Sequence, residues 1–155
     1  MYQAGDLRPD AYFAPTDKDG NRKSQKGGNS EFRCTIRTGE LYLNSAEAAA
    51  QSDNLPEARK RLLQLMEKRY TAEAYAQKKT YVEGLSKVEL VKEIVNERAR
   101  ELAFEGHRWF DLRRTTRPRI EKTLNKQQYV LEQDDSRYTL QIPKEAIAAN
   151  PNLSH

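Results

Sequence analysis

The sequence is short of the residues that build disulfides, metal centres and membrane spans. Cysteine occurs once in 155 residues, at Cys34, which excludes an internal disulfide framework. Two histidines beside that thiol are too few for a zinc site of the usual ligand types, and no other metal or cofactor signature stands out. No stretch approaches the roughly 18 consecutive apolar residues of a membrane helix, and the chain opens on no apolar run of the signal-peptide kind. Hydrophobic residues make up 37% and aromatic residues 8%, against 32% charged. An ordinary globular chain has roughly 45–50% apolar and roughly 25% charged residues. A chain this polar is either disordered or completes its core against further protein. A strong excess of one charge is missing too: 27 basic residues face 23 acidic ones, for a net +4. That is less than the clustered excess a dedicated nucleic-acid binder shows. A glycine-rich phosphate loop is absent, because "KGGNS" lacks both the Walker spacing and a strand–loop–helix context.

What is present is helical punctuation. Residues 1–37 are a loop-rich irregular segment dense in Pro, Gly, Asp and Asn. Within it, Asp17 to Asn21 hints at a calcium loop, but its glycine comes one place early and position twelve is Gly28, so a plain β-turn is the better reading. Cys34 reads as a half-buried free thiol. Residues 38–51 read as a helix with Leu41, Ser45, Ala48 and Ala49 on one face. Asp53 or Asn54 then caps a second helix, in which Leu55, Ala58, Leu62, Leu65, Met66 and Arg69 recur every three or four residues. Together they predict an αα-hairpin of the tetratricopeptide sort, a single unit that cannot bury its own face. "TAEAYAQKKTYVEGL" fits either a prolonged helix or a linker.

Ser86 and Glu89 form a capping box that opens the clearest helix, predicted over 87–105. At 100° per residue, Leu90, Val91, Ile94, Val95 and Leu102 share a side with Arg98, Glu101 and Glu105, while Glu89, Lys92, Glu93 and Arg100 fall outside it. The inner face therefore turns ionic towards the helix end, and its acids need cationic partners if buried. Gly106 breaks the helix before Trp109, Phe110 and Leu112, which read as packing residues along with Phe104 and Tyr42. Residues 128–133 and 137–142 alternate around "DDS" and predict a small β-hairpin, and Pro143 starts a short helix that ends at Asn150.

Three chemical readings of this block compete. Glu101 and Glu105 have a spacing that permits the acid/base pair of a glycoside hydrolase, but arginines interleave them, which favours an ion-pair network. His107 follows the glycine as a conceivable general base, with no triad partners recognisable in the sequence. Arg108, Arg113, Arg114, Arg117 and Arg119 beside Trp109 and Phe110 could grip phosphates, yet the neighbouring acids balance them locally.

"LYLNSAEAAAQSDNLPEA", "IVNERARELAFEGHRWFDLRR" and "IPKEAIAANPNLSH" follow one another in that order. In these segments the chain resembles the C-terminal part of the SusD/RagB family of outer-membrane glycan-binding lipoproteins over roughly residues 38–155. "GDLRPDAYF" resembles the stretch that precedes the helical part in that family. The resemblance implies a mostly α protein: a tetratricopeptide-like hairpin, a long capped helix, irregular loops and a small β-hairpin. Residues 38–155 would be the C-terminal helical region of a larger domain. It implies a non-catalytic protein that binds oligosaccharide or polysaccharide at the cell surface and delivers it to a TonB-dependent, SusC-like transporter. It would touch the outer membrane only through a lipid anchor not present in this chain, and it would bind no nucleic acid. Glu97, Arg98, Glu101, Phe104, Glu105, Gly106, Arg108, Trp109, Asp111 and Arg113 are then a structural motif. Tyr12, Phe13, Tyr129 and Tyr138 are the candidates for sugar contact, with Tyr2 beside them, and this chain alone is expected to bind glycans weakly or not at all while the full-length protein binds them. The alternatives are a helical-repeat protein-interaction scaffold and a glycoside hydrolase using Glu101 and Glu105.

Overall fold

A computed structural model of the chain describes residues 2–26 and 37–153. Cys34 and Gly28, and the readings made of them, lie outside the described residues. The chain divides into two compact units, Met1–Arg108 and Trp109–His155.

The first unit is built around an antiparallel hairpin of α2 (Thr38–Gln51) and α3 (Leu55–Met66), with α5 (Lys87–Glu101) laid against it. Asn54 caps α3 by accepting from the Glu57 amide at 3.3 Å. Ser86 and Glu89 close the predicted capping box on α5. The core is apolar where the three helices meet: Leu43, Ala46, Ala50, Ala58, Leu62, Met66, Leu90 and Ile94. The α3 stripe lies where the spacing put it. The α2 face does not: Leu43, Ala46, Glu47 and Ala50 are buried, while Leu41 is exposed. An alanine-rich helix offers two stripes of helical period, and packing against α3 chose the one carrying Leu43.

The ambiguous segment is a separate helix, α4 (Ala72–Glu83), because Thr71 caps it and the preceding helix gives way to a turn over residues 67–69 and a bridge at Tyr70. Before the hairpin, residues 2–26 carry the short helix α1 (Arg8–Tyr12) and two isolated bridges, Asp6 to Tyr70 and Phe13 to Ser24. The Asp17 carboxylate accepts from the amides of Asp19 and Asn21, so it organises a turn.

Helix α5 ends at Glu101, short of the predicted residue 105. Phe104 and Gly106 adopt positive φ, 65° and 82°, which unwinds the chain there. The freed carbonyls are capped from outside. Lys26 Nζ donates to Glu101 O at 2.7 Å and Ala103 O at 3.0 Å, and Arg37 donates to Glu101 O at 2.7 Å. Helix α6 (His107–Arg114) follows and runs into the second unit.

The second unit holds a two-stranded antiparallel hairpin, β1 (Ile120–Leu124) with β2 (Gln127–Leu131), then a 3-10 turn (Ser136–Tyr138), α7 (Lys144–Ala149) and a terminal 3-10 turn. A β-hairpin was expected, but its strands differ from the alternating stretches chosen. Asn125 and Lys126 both sit at positive φ and form the two-residue turn that matches strand twist. "DDS" instead caps the 3-10 turn, with Asp135 accepting from the Arg137 amide at 2.9 Å.

Candidate functional site

The motif block places its glutamates in a buried ionic cluster of the first unit. Glu97 and Glu101 are fully buried on α5. Glu101 is gripped by arginines from three separate stretches. Arg69 donates twice, Nε to Oε2 and Nη2 to Oε1, both at 2.9 Å. Arg8 approaches Oε2 at 3.4 Å and Arg37 approaches Oε1 at 3.2 Å. Glu97 accepts from Arg8 at 2.7 Å, from Arg100 Nε at 2.8 Å and from the Tyr70 hydroxyl at 3.2 Å. Arg100 also pairs with Glu93 at 2.5 Å. Arg8 is itself held in two prongs by Asp6, at 2.8 Å each, and donates to the Tyr70 oxygen at 2.8 Å. Glu105 sits at the edge, 2.5 Å from Lys26 and 3.3 Å from Arg37.

Five acids, Asp6, Glu93, Glu97, Glu101 and Glu105, meet five cations, Arg8, Lys26, Arg37, Arg69 and Arg100, and that balance makes the cluster's burial tolerable. Lone buried ions cost several kcal/mol each, whereas well-bonded opposite charges offset the loss of water. Burial pushes the Glu101 carboxyl up, but Arg69, Arg37 and Arg8 outweigh it and hold the group below the usual glutamate range. Burial and the nearby Glu97 push the Tyr70 hydroxyl well up, so it stays a proton donor. Burial raises Tyr2 to about 12. Lys26 is lowered by its burial, against the pull of Glu105.

The close fit has a steric origin in the sequence. Gly39, in the first turn of α2, faces Glu101: a Cβ there would come within 2.6 Å of Oε1. Gly5, at φ 78°, likewise lets its backbone lie against Ala74 and accept from the Thr71 amide at 2.8 Å.

Two expectations about α5 change here. Glu93 and Arg100 fall outside the inner sector of the helical wheel, yet both are buried: Arg100 pairs with Glu93 and Glu97, and Tyr2 donates to the Arg100 carbonyl. The network's cations were expected at Arg98 and Arg108. Those that hold Glu97 and Glu101 are Arg8, Arg37, Arg69 and Arg100, while Arg98 donates to Asn44 Oδ1 at 2.5 Å and Arg108 approaches Val95 O at 3.5 Å. Asp6, Arg8, Arg37 and Tyr70 carried no signal of this role. Arg69 did, as the one cation among the residues that continue the apolar spacing of the predicted second helix, three places beyond the end of α3.

A hydrolase acid must hold its proton near neutral pH and reach the substrate. Glu101 is buried, bonded to three guanidinium groups and held ionised, and Glu105 is paired with Lys26 and Arg37, so the arrangement suits anchoring, not acid/base work. His107 Nδ1 lies 3.9 Å from Glu40 Oε1, beyond hydrogen-bond reach. In the second unit, Arg114 pairs with Asp111 at 2.7 Å, Arg117 donates to Arg113 O at 3.1 Å, and Arg119 pairs with Glu132 at 2.9 Å and with Glu121. These local partners fit the balanced reading of the basic cluster. Among the described residues, no group of three or more His, Cys, Asp or Glu side chains gathers to hold a metal ion.

The aromatic residues are distributed differently from the expectation. Phe104, Trp109 and Phe110 were expected to pack, but Phe104 is 76% and Phe110 62% exposed, and Trp109 is 40% exposed. Phe104 extends a chain of edge-to-face rings, with Phe13 at 5.5 Å and Tyr2 a further 6.0 Å beyond it. This edge borders a cleft of ≈ 510 Å³ lined by Asn96, Ala99, Arg100, Ala103, Phe104 and Arg108. Tyr12 is covered by Lys26, 4.1 Å above its ring. In the second unit, Trp109 stacks on Tyr138 at 5.1 Å and 7°, and Tyr138 is buried, so its ring has no free face. Tyr129 is half-exposed on β2 and donates to Gln127 Oε1 at 3.0 Å.

The SusD family model matches residues 11–155, which include both the ionic cluster's helix and the whole second unit. The chain belongs to the SusD family. A SusD-like carbohydrate binding protein from Bacteroides vulgatus ATCC 8482, known from its crystal structure, has a similar fold, with a TM-score of 0.59 at 22% identity. The likeness covers 99% of this SusD-family chain and 39% of that protein, so the chain spans well under half its length. No curated protein matches the chain in sequence. The mostly helical fold with one small β-hairpin is thus a SusD-like fold, and Glu97, Arg100 and Glu101 of the motif block lie in a buried ionic cluster.

Proposed function

We propose that this chain serves, as the C-terminal part of a SusD-like protein, in non-catalytic binding of oligosaccharides at the cell surface and their delivery to a TonB-dependent transporter. The observation that carries the reading is the family match over residues 11–155, supported by the SusD-like fold. The buried state of Glu101 supports a binding role over hydrolysis. The surface best suited to a sugar is the aromatic edge of Tyr2, Phe13 and Phe104. Carbohydrate sites pair ring faces with a few fixed polar groups, and Asn96 and Arg108 lie in the adjoining cleft. Tyr129 is a second, isolated candidate.

The test is calorimetry of this chain and of the full-length protein against a panel of neutral oligosaccharides, with Phe104→Ala beside the parent. Binding by the full-length protein, weakened in Phe104→Ala, supports the reading and its surface. A Kd near 1 μM for this chain alone, about −8 kcal/mol, would place a complete site within it. Hydrolysis of the panel would overturn the non-catalytic reading. Copurification of the full-length protein with an outer-membrane transporter tests delivery, and its failure would leave a simple surface binder.

A further inference from the structure

Residues 2–13 are attached to the helices almost wholly through polar atoms. Only Asp6 and Arg8 of this segment are buried. Its further ties are hydrogen bonds, in which Tyr2 donates to Arg100 O at 2.9 Å, the Leu7 amide to Arg69 O at 2.9 Å and the Thr71 amide to Gly5 O at 2.8 Å, and a few surface contacts, the Phe13 ring edge-to-face with Phe104 and Gly5 against Ala74. By contrast, α2, α3 and α5 share the apolar core around Leu43, Leu62 and Ile94. Segments with few buried apolar contacts open at lower free energy than the core they rest on.

The charges permit a clean separation. Arg8 carries its own counter-ion, Asp6, in a two-pronged pair. On the other side, Glu93, Glu97 and Glu101 face Arg100, Arg69 and Arg37. Three acids meet three arginines when the segment leaves, and one acid leaves with one arginine. Neither side is left with an uncompensated buried charge, the circumstance that makes breaking a buried pair costly. A network that bonded Arg8 to helix acids alone would lack this property.

We infer that residues 2–13 form a clasp that opens as a unit ahead of helices α2, α3 and α5, with the Arg8 guanidinium as its plug in the carboxylate socket of Glu97 and Glu101. Opening withdraws Phe13 from Phe104 and dismantles the aromatic edge.

The clasp is tested by hydrogen exchange of this chain, read as protection factors for residues 2–13 and for α2, α3 and α5. The parent should show at least tenfold lower protection in 2–13 than in the helices. Arg8→Gln should lower protection of 2–13 a further tenfold or more and leave the helices within about twofold. Chymotrypsin should then cut Arg8→Gln after Tyr12 or Phe13 faster than the parent, and Arg8→Lys should fall between them. Joint loss of protection in the segment and the helices in both variants would show one cooperative unit and overturn the inference. So would an unchanged segment in Arg8→Gln. None of these outcomes depends on glycan binding.

Discussion

Arg69 and Glu101 meet as a two-pronged pair, 32 residues apart in sequence, with both bonds at 2.9 Å. Arg69 leaves the apolar stripe of α3 just after its last turn, and Glu101 closes α5. The pair therefore ties the end of the hairpin to the end of the longest helix. Arg8 and Arg37 reach the same carboxylate from the two stretches that precede α2. Glu101→Ala leaves three guanidinium groups facing a void and should destabilise the chain by about 3–5 kcal/mol, as loss of one partner in a buried pair does. Denaturant unfolding checks it. A loss below about 1 kcal/mol would place the pair among surface contacts.

Gly39→Ala should also destabilise, although alanine is the better helix former by about 1 kcal/mol. The added Cβ falls 2.6 Å from Glu101 Oε1 and 3.1 Å from two further atoms of that side chain. A free glutamate would swing aside, but this one is pinned by three arginines. Overpacking of this kind costs about 1–3 kcal/mol. A variant as stable as the parent would show that Glu101 has room to move.

Acid should loosen the first unit. The Glu101 carboxyl lies below its unfolded value because the three arginines outweigh its burial. Its contribution is fully present above the unfolded value of about 4.3 and is lost as pH falls through the lower folded value. Stability should therefore drop as pH is lowered from about 4.3, and Glu101→Gln should show a shallower drop. Equal slopes in the two proteins would remove Glu101 from the acid response.

The Trp109–Tyr138 stack governs the second unit's optical signal. Trp109 is 40% exposed, so its fluorescence should be partly accessible to acrylamide. Tyr138→Ala removes a buried ring, costs about 3–5 kcal/mol and should shift the emission to the red. An unshifted spectrum would mean that the stack does not persist in solution.

Much of this architecture was legible in the chain. The α3 stripe, the Ser86–Glu89 box and the ionic turn of the α5 face all follow from helical period and capping. Two of Glu101's three arginine partners, Arg8 and Arg37, did not, because they come from irregular segments where no period links sequence to facing. Glu93 and Arg100 depart from the wheel for the same reason: a helix wheel shows one buried side, and Tyr2 and Arg8 reach α5 at Arg100 and Glu97 from an irregular segment. The α5 end was read four residues late, because Phe104 in a left-handed conformation has no signature in its side chain. The hairpin strands were missed since "NK" is a weaker turn signal than Asn-Gly, and "DDS" looked stronger. Phe104 reads as a packing residue because it falls in the predicted helical stretch, while its left-handed backbone turns it outward.

Glu97 and Glu101 form a structural ionic centre in the first unit, with Glu101 as its hub. A double-mutant cycle between Arg69→Met and Glu101→Gln, measured by denaturant unfolding, tests it most directly. Contacting members of one salt-bridge network couple by 0.5–3 kcal/mol, and this two-pronged buried pair should lie in the upper half, about 1.5–3 kcal/mol. Additivity of the two losses within about 0.5 kcal/mol would contradict the account, since it would mean that Arg69 and Glu101 stabilise the chain independently.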